Sequence, residues 1–256
     1  MNALELKNLS KVYKRKIRAV DNLSIEVPES SVLGLVGPNG AGKSTIMNIL
    51  AGLLNKTEGK ITILGQHIHK GDYEYKRKVG FVLEEPHYIE KLTVREYLHF
   101  CGAMYELKPH EINNRTEELL SFFRLEEKAS SWIENCSTGM KKKVSLAAAL
   151  IHQPQLLILD EPLEGIDPLS ARQIKDNIRL MTENGITVVI SSHQLDTIER
   201  FCDEVAIINN GKLIYQAKMD DIREMVESNS YSSLEELFVE LVSEHDNGQT
   251  QKLSWL

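Results

Sequence analysis

Nine consecutive residues, Gly37-Pro38-Asn39-Gly40-Ala41-Gly42-Lys43-Ser44-Thr45, constrain this chain most. They follow the apolar run Val32-Leu33-Gly34-Leu35-Val36 and open a helix-forming segment. Strand, glycine-rich loop and helix in that order make a phosphate cradle. The glycines let successive backbone N–H groups turn toward one phosphate chain, and the start of the following helix brings its positive dipole end to the same place. Lys43 then reaches the β- and γ-phosphates, and Ser44 offers a hydroxyl to magnesium. A glycine turn that holds no ligand has no need of the full G-x-x-x-x-G-K-S spacing, so the segment predicts binding of a nucleoside triphosphate.

Composition narrows what such a chain does. A length of 256 residues with 42% hydrophobic content is enough for a large α/β core. The formal net charge of −7 argues against a broad nucleic-acid footprint, and no nucleic-acid partner is expected. The one local basic run, Lys141-Lys142-Lys143, reads as a solvated helix face. Cys101, Cys136 and Cys202 have no metal-site or redox spacing, which fits a reducing compartment. Glu5 and Lys7 interrupt the N-terminal apolar residues as no secretory leader would, and no run approaches the roughly 20 apolar residues of a membrane span. Any membrane role is expected to come through a partner.

Periodicity gives the organisation. Strand-like alternation occurs at Leu4-Lys7, Leu23-Val27 and Lys60-Leu64, which predicts an antiparallel sheet beside the phosphate-binding core. From Thr93 the pattern becomes helical: Thr93 and Glu96 have capping-box spacing, and Val94, Tyr97, Leu98, Cys101 and Tyr105 share a face. A second amphipathic run carries Ile112, Leu119, Leu120 and Phe123, so a helical insert is expected over about residues 93–150. The βαβ pattern then returns with Leu156-Leu159, a helix from Asp167-Pro168, a stop at Asn184-Gly185 and a strand over Ile186-Ile190. Such alternation predicts a parallel sheet. Asn210-Gly211 signals a type I′ hairpin, Leu234-Val242 a short helix, and residues 244–256 a polar tail after one domain over 1–243.

Asp160 ends the second apolar strand and Glu161 follows it. One carboxylate is thereby expected at magnesium and the next where an attacking water would be held. Between the two phosphate motifs lies Cys136-Ser137-Thr138-Gly139-Met140, with Ser137 at a helix N-cap position. This ordered set resembles the ATPase subunits of ATP-binding cassette (ABC) transporters, with a P-loop, a helical insert, a signature of the Leu-Ser-Gly-Gly-Gln type and then Asp160-Glu161-Pro162. The resemblance covers nearly the whole chain and implies a P-loop NTPase α/β fold with an N-terminal antiparallel subdomain. It also implies ATP and Mg2+ as ligands, Glu161 as base, and His193 after the last core strand as the switch histidine. Tyr13 is implied as the aromatic residue on adenine, and Asp167 as part of the D-loop. In this family ATP is sandwiched between two such domains, so Ser137 and Gly139 are expected to contact nucleotide held by a second subunit.

Three positions depart from the family pattern. Thr138 replaces the first glycine of the signature pair, Glu84 stands at the glutamine of the Q-loop, and Ser30-Ser31 replace a frequent glycine turn. Glu84 keeps an oxygen ligand for the metal but adds negative charge beside the phosphates. Together with Lys91-Glu96 it resembles the stand-alone ATPases of bacterial ABC-2 type exporters. The resemblance therefore implies an exporter ATPase, peripheral at the cytoplasmic face of the cell membrane and working with integral membrane permease subunits, which are expected near Glu84-Tyr88 and Tyr97. A soluble ABC ATPase, such as one of iron–sulfur assembly, is the alternative. A P-loop kinase would explain neither Ser137-Met140 nor Glu161.

Overall fold

The computed structural model describes residues 1–14, 16–84, 87–228 and 232–245. The alternating N-terminal segments form the expected antiparallel sheet. In it β1 (Asn2–Val12) lies between β2 (Arg18–Pro28) and β4 (Glu58–Ile63), with the short β5 (Gln66–His67) at the edge. Leu4, Leu6, Ile25, Val27, Ile61 and Ile63 are buried, while the intervening Ser24 and Glu26 face solvent, as a period of two requires. At the turn into the next strand Ser30 adopts a left-handed φ of 56°, so a serine here does what a glycine usually does.

The second sheet has the order β10-β9-β3-β8-β7-β6. Its members β3 (Val32–Val36), β6 (Val79–Val82), β7 (Leu156–Asp160), β8 (Thr187–Ser192) and β9 (Glu204–Asn209) run parallel. Antiparallel β10 (Lys212–Lys218) returns from β9 through Asn210 and Gly211 at φ 49° and 78°, the type I′ geometry expected of this pair. The strands are continuous apolar runs because both faces are covered. Leu33, Leu35 and Ile158 pack with α1 (Lys43–Leu50) and the antiparallel sheet. Val32, Val36, Leu157 and Leu159 pack against the helices of the opposite layer. Burying each such side chain contributes about 1.5–3 kcal/mol.

That opposite layer contains α2 (Val94–Met104), α3 (Pro109–Phe122), α4 (Thr138–Leu150), α5 (Pro168–Glu183), α6 (Leu195–Phe201), α7 (Met219–Glu227) and α8 (Leu234–His245). Thr93 and Glu96 form the expected reciprocal capping box on α2. Asp167 caps α5, with Pro168 at its first position and Asn184 at its end.

Three expectations shift. Strand β8 continues two residues further, through Ser192, because Ser191 and Ser192 still pair with Asp160 and Val36. Helix α8 runs to His245, three residues beyond Val242 and into the expected tail; residues 246–256 lie outside the described residues. Lys142 is not solvated: it is 7% exposed and turned inward, whereas Lys141 and Lys143 stay partly exposed.

Candidate functional site

The parallel register brings the carboxyl ends of β3, β7 and β8 to one edge. Val36 there lies beside Ser192, and Asp160 beside Ser191. The loop that leaves β3 is tightly seated. A Cβ on Gly37 would lie 2.3 Å from the Ile208 carbonyl oxygen, and one on Gly42, at φ 109°, would lie 2.5 Å from that of Ala19. Only glycine fits at either position. The buried Lys43 ammonium folds across the loop and donates to the carbonyls of Gly37 at 2.6 Å and Pro38 at 3.2 Å. Burial pulls the pKa of Lys43 down, and the carboxylates of Glu161, Asp160 and Glu84 oppose that shift. The mouth of the loop is a cavity of about 360 Å³ lined by Asn39, Gly40, Lys43, Ser44, Glu84 and Glu161, among others.

Asp160 and Glu161 are both buried, at 1% and 8% exposure. Desolvation raises both carboxyl pKa values above their usual range. Hydrogen bonds from Ser191 and Ser44 counter the shift at Asp160, and the neighbouring His193 counters it at Glu161. Ser191 links the pair, since its hydroxyl donates to Asp160 Oδ1 at 2.5 Å and accepts from the Glu161 N–H at 3.0 Å. His193 Nδ1 stands 3.1 Å from Glu161 Oε1, so the switch-histidine position meets the base position directly. The Glu161 backbone is left-handed, at φ 46°, a conformation that costs a non-glycine residue about 1–2 kcal/mol. The Lys142 ammonium donates to the carbonyl of this same residue at 2.6 Å.

The donor set suits magnesium. The oxygens of Ser44 and Glu84, 3.2 Å apart, and of Asp160 are hard ligands, and the lysine, hydroxyl and paired acids are what a nucleotide–metal complex requires. Among the described residues no cluster of three or more His, Cys, Asp or Glu side chains forms a protein-only metal cage. Mg2+ that shares its ligands with phosphates needs no such cage.

The other expected residues stand apart from this cavity. Ser137 caps α4, accepting from the Met140 N–H at 3.3 Å, and is exposed; Gly139 follows it on the first turn. Neither Ser137, Gly139 nor Asp167 lines the cavity that holds Lys43. Gly139 has room to spare, because an added Cβ would meet nothing nearer than the Gly165 carbonyl oxygen at 3.6 Å. Tyr13 is 39% exposed and its hydroxyl lies 3.5 Å from Thr45 Oγ1, with the Lys11 ammonium 5.2 Å from its ring centroid. A larger cavity, about 760 Å³, lies between α5 and α6. It has no glycine loop and no carboxylate pair, so its size does not make it the nucleotide site.

Sequence reasoning missed the roles of Ser191 and Lys142, and it placed Tyr88 only within the expected permease-facing segment. The Tyr88 hydroxyl donates to the carbonyl of Lys141 at 2.7 Å and lies 2.7 Å from Ser145 Oγ, which ties the segment after Glu84 to α4. Only Tyr88 carried a signal in the sequence, as an aromatic residue within the expected permease-facing segment.

A parallel sheet with a glycine loop entering a helix, an adjacent strand ending in paired acids, and a β-sheet subdomain in front define a P-loop nucleotide hydrolase of the cassette type. The family model described as "ABC transporter" matches residues 20–164. The linearmycin resistance ATP-binding protein LnrL of Bacillus subtilis (strain 168) is 39% identical over 211 residues, which are 82% of this chain and 68% of the relative. The Nod factor export ATP-binding protein I of Rhizobium leguminosarum bv. viciae is 38% identical over 217 residues, 84% of this chain and 69% of the relative. An ATP-binding cassette solved as a dimer in a post-hydrolysis state, bound to ADP and Pi, superposes with a TM-score of 0.79 at 26% identity. That match covers 84% of this chain and 98% of the other. The chain belongs to the ABC transporter ATP-binding family, and it is an ATPase.

Proposed function

We propose that this ATPase powers an exporter by closing on ATP as a dimer and reopening after hydrolysis, with Mg2+ as the metal. The observation that supports the reading is the setting of the α4 N-terminus: Ser137 is exposed and Gly139 leaves room for a visiting group, both outside the cavity of Lys43 and Glu161, as suits groups offered to a nucleotide held by a second subunit. Lys43 offsets phosphate charge, and Ser44, Asp160 and Glu84 would hold Mg2+, which would supply charge neutralisation at the phosphates. Glu161 orients the attacking water and takes its proton, with His193 holding the Glu161 carboxylate. The N-terminal turn of α4 supplies backbone N–H groups and dipole from the opposite side. Tyr13 provides the adenine platform, and Asp167 lies where the two subunits meet.

No helix among the described residues is long and apolar enough to cross a membrane. In this reading the chain sits peripherally at the cytoplasmic face and moves integral membrane permease subunits. Their docking surface is the groove between β6 and α2, about 280 Å³, where Phe100 and Met104 are 43% and 68% exposed beside Tyr97 and His87. Tyr88 at its rim packs edge-to-face on Tyr97 at 5.9 Å. Of the expected contact segment, residues 85 and 86 lie outside the described residues. The names of the relatives, linearmycin resistance and Nod factor export, support export rather than uptake. Site-specific crosslinking from Met104 in assembled complexes tests the partner. Adducts to a membrane subunit support the reading, and adducts confined to a soluble assembly protein would replace it with the soluble alternative.

A further inference from the structure

Lys142 is a buried cation whose ammonium is directed at the backbone carbonyl of Glu161, 2.6 Å away. The other backbone group of Glu161, its N–H, is held by the Ser191 hydroxyl at 3.0 Å. The two clamps come from different parts of the molecule. Ser191 lies on β8 in the parallel core, whereas Lys142 lies on α4, five residues after Ser137 at the N-terminus of the same helix. Glu161 also needs clamping, because its φ of 46° is one that side-chain-bearing residues rarely hold unaided.

We infer that Lys142 is a positioning residue: it holds the Glu161 backbone in its left-handed conformation only while α4 is docked on the core, and so couples the base of one ATP site to the helix that grips the nucleotide of the other. The inference rests on the dimer reading above, since only in a dimer does the N-terminus of α4 meet a second nucleotide. A rigid helix carries a displacement at Ser137 to Lys142, and the charge-assisted bond to the carbonyl passes it on to Glu161. Tyr88, bonded to the carbonyl of the adjacent Lys141, fixes the same turn of α4 from the permease-facing side.

The test is steady-state hydrolysis by Lys142→Met, which keeps the buried chain and removes the donor, beside Lys142→Arg, which keeps a donor. Losing one charge-assisted hydrogen bond to a strained backbone should lower kcat about ten- to a hundredfold for Lys142→Met. KM for ATP and binding of a fluorescent ATP analogue should stay at their unmutated values, and Lys142→Arg should recover most of kcat. Parallel loss of kcat, nucleotide binding and melting temperature without rescue by arginine would make Lys142 a packing residue and overturn the inference. Light scattering with ATP, of Glu161→Gln with and without Lys142→Met, separates the two levels. A Glu161→Gln protein that never dimerises removes the dimer reading and this inference together. If it dimerises while Lys142→Met in the unmutated background hydrolyses at the full rate, only the inference falls.

Discussion

The two glycine-bearing regions of the site differ in what their glycines do for the fold. At Gly37 and Gly42 a Cβ would collide with backbone oxygens at 2.3 and 2.5 Å, so those glycines are dictated by the chain's own packing. At Gly139 nothing among the described residues beyond its own helix turn would come nearer than 3.6 Å to a Cβ, and φ is not left-handed, so the described fold gives no reason for the missing side chain. One half of the ATP site is finished within the subunit, with Lys43 buried and the acids locked by Ser191. In the proposed dimer the other half is the open helix N-terminus at Ser137, which a second subunit's nucleotide would meet. The contrast predicts that stability and activity separate according to the half that is mutated.

The largest effect is expected at the finished half. Glu161→Gln should lower hydrolysis about 10²–10⁴-fold while ATP binding persists, because only the base is lost; equal loss of binding, read by a fluorescent nucleotide, would mean that the carboxylate serves the cavity and not the water. Next comes the glycine pair. Gly139→Ala should reduce hydrolysis about 10²-fold by obstructing the approach of phosphate to N–H donors, with an unchanged or slightly raised melting temperature, since alanine favours helix. Gly42→Ala should instead lower stability by about 1–3 kcal/mol in a denaturant titration. If both variants melted alike, the comparison between the halves would fail. Glu84→Gln should raise the magnesium concentration that half-activates hydrolysis by about tenfold, one charged oxygen beside Ser44 having become neutral. The smallest effect is at Thr93→Ala, which removes the capping box of α2, lowers stability by about 1 kcal/mol and leaves kcat intact.

Much of both halves was legible in the sequence. The loop spacing, the apolar strand before Asp160 and the capping residues Thr93, Ser137 and Asp167 are local signals, each spanning a few residues with a definite physical meaning. Lys142 was misread because a run of three lysines says nothing of which one points inward; that is set by the phase of α4 against β7 and by the turn at Glu161, neither of them visible in the run itself. Ser191 was unreadable for a related reason, since its partner Asp160 lies 31 residues away and is reached only through the pairing of β7 with β8. The departure at Thr138 has a contact in the fold, its methyl lying 3.5 Å from where a Cβ on Gly165 would sit, between the signature and the D-loop.

The central question is whether a second subunit completes the open half. Size-exclusion chromatography with light scattering on Glu161→Gln, with ATP and Mg2+, should give a dimer that is absent without nucleotide and is abolished by adding Ser137→Arg. A protein that remains monomeric while saturated with ATP, or a dimer that Ser137→Arg leaves intact, would contradict the divided site.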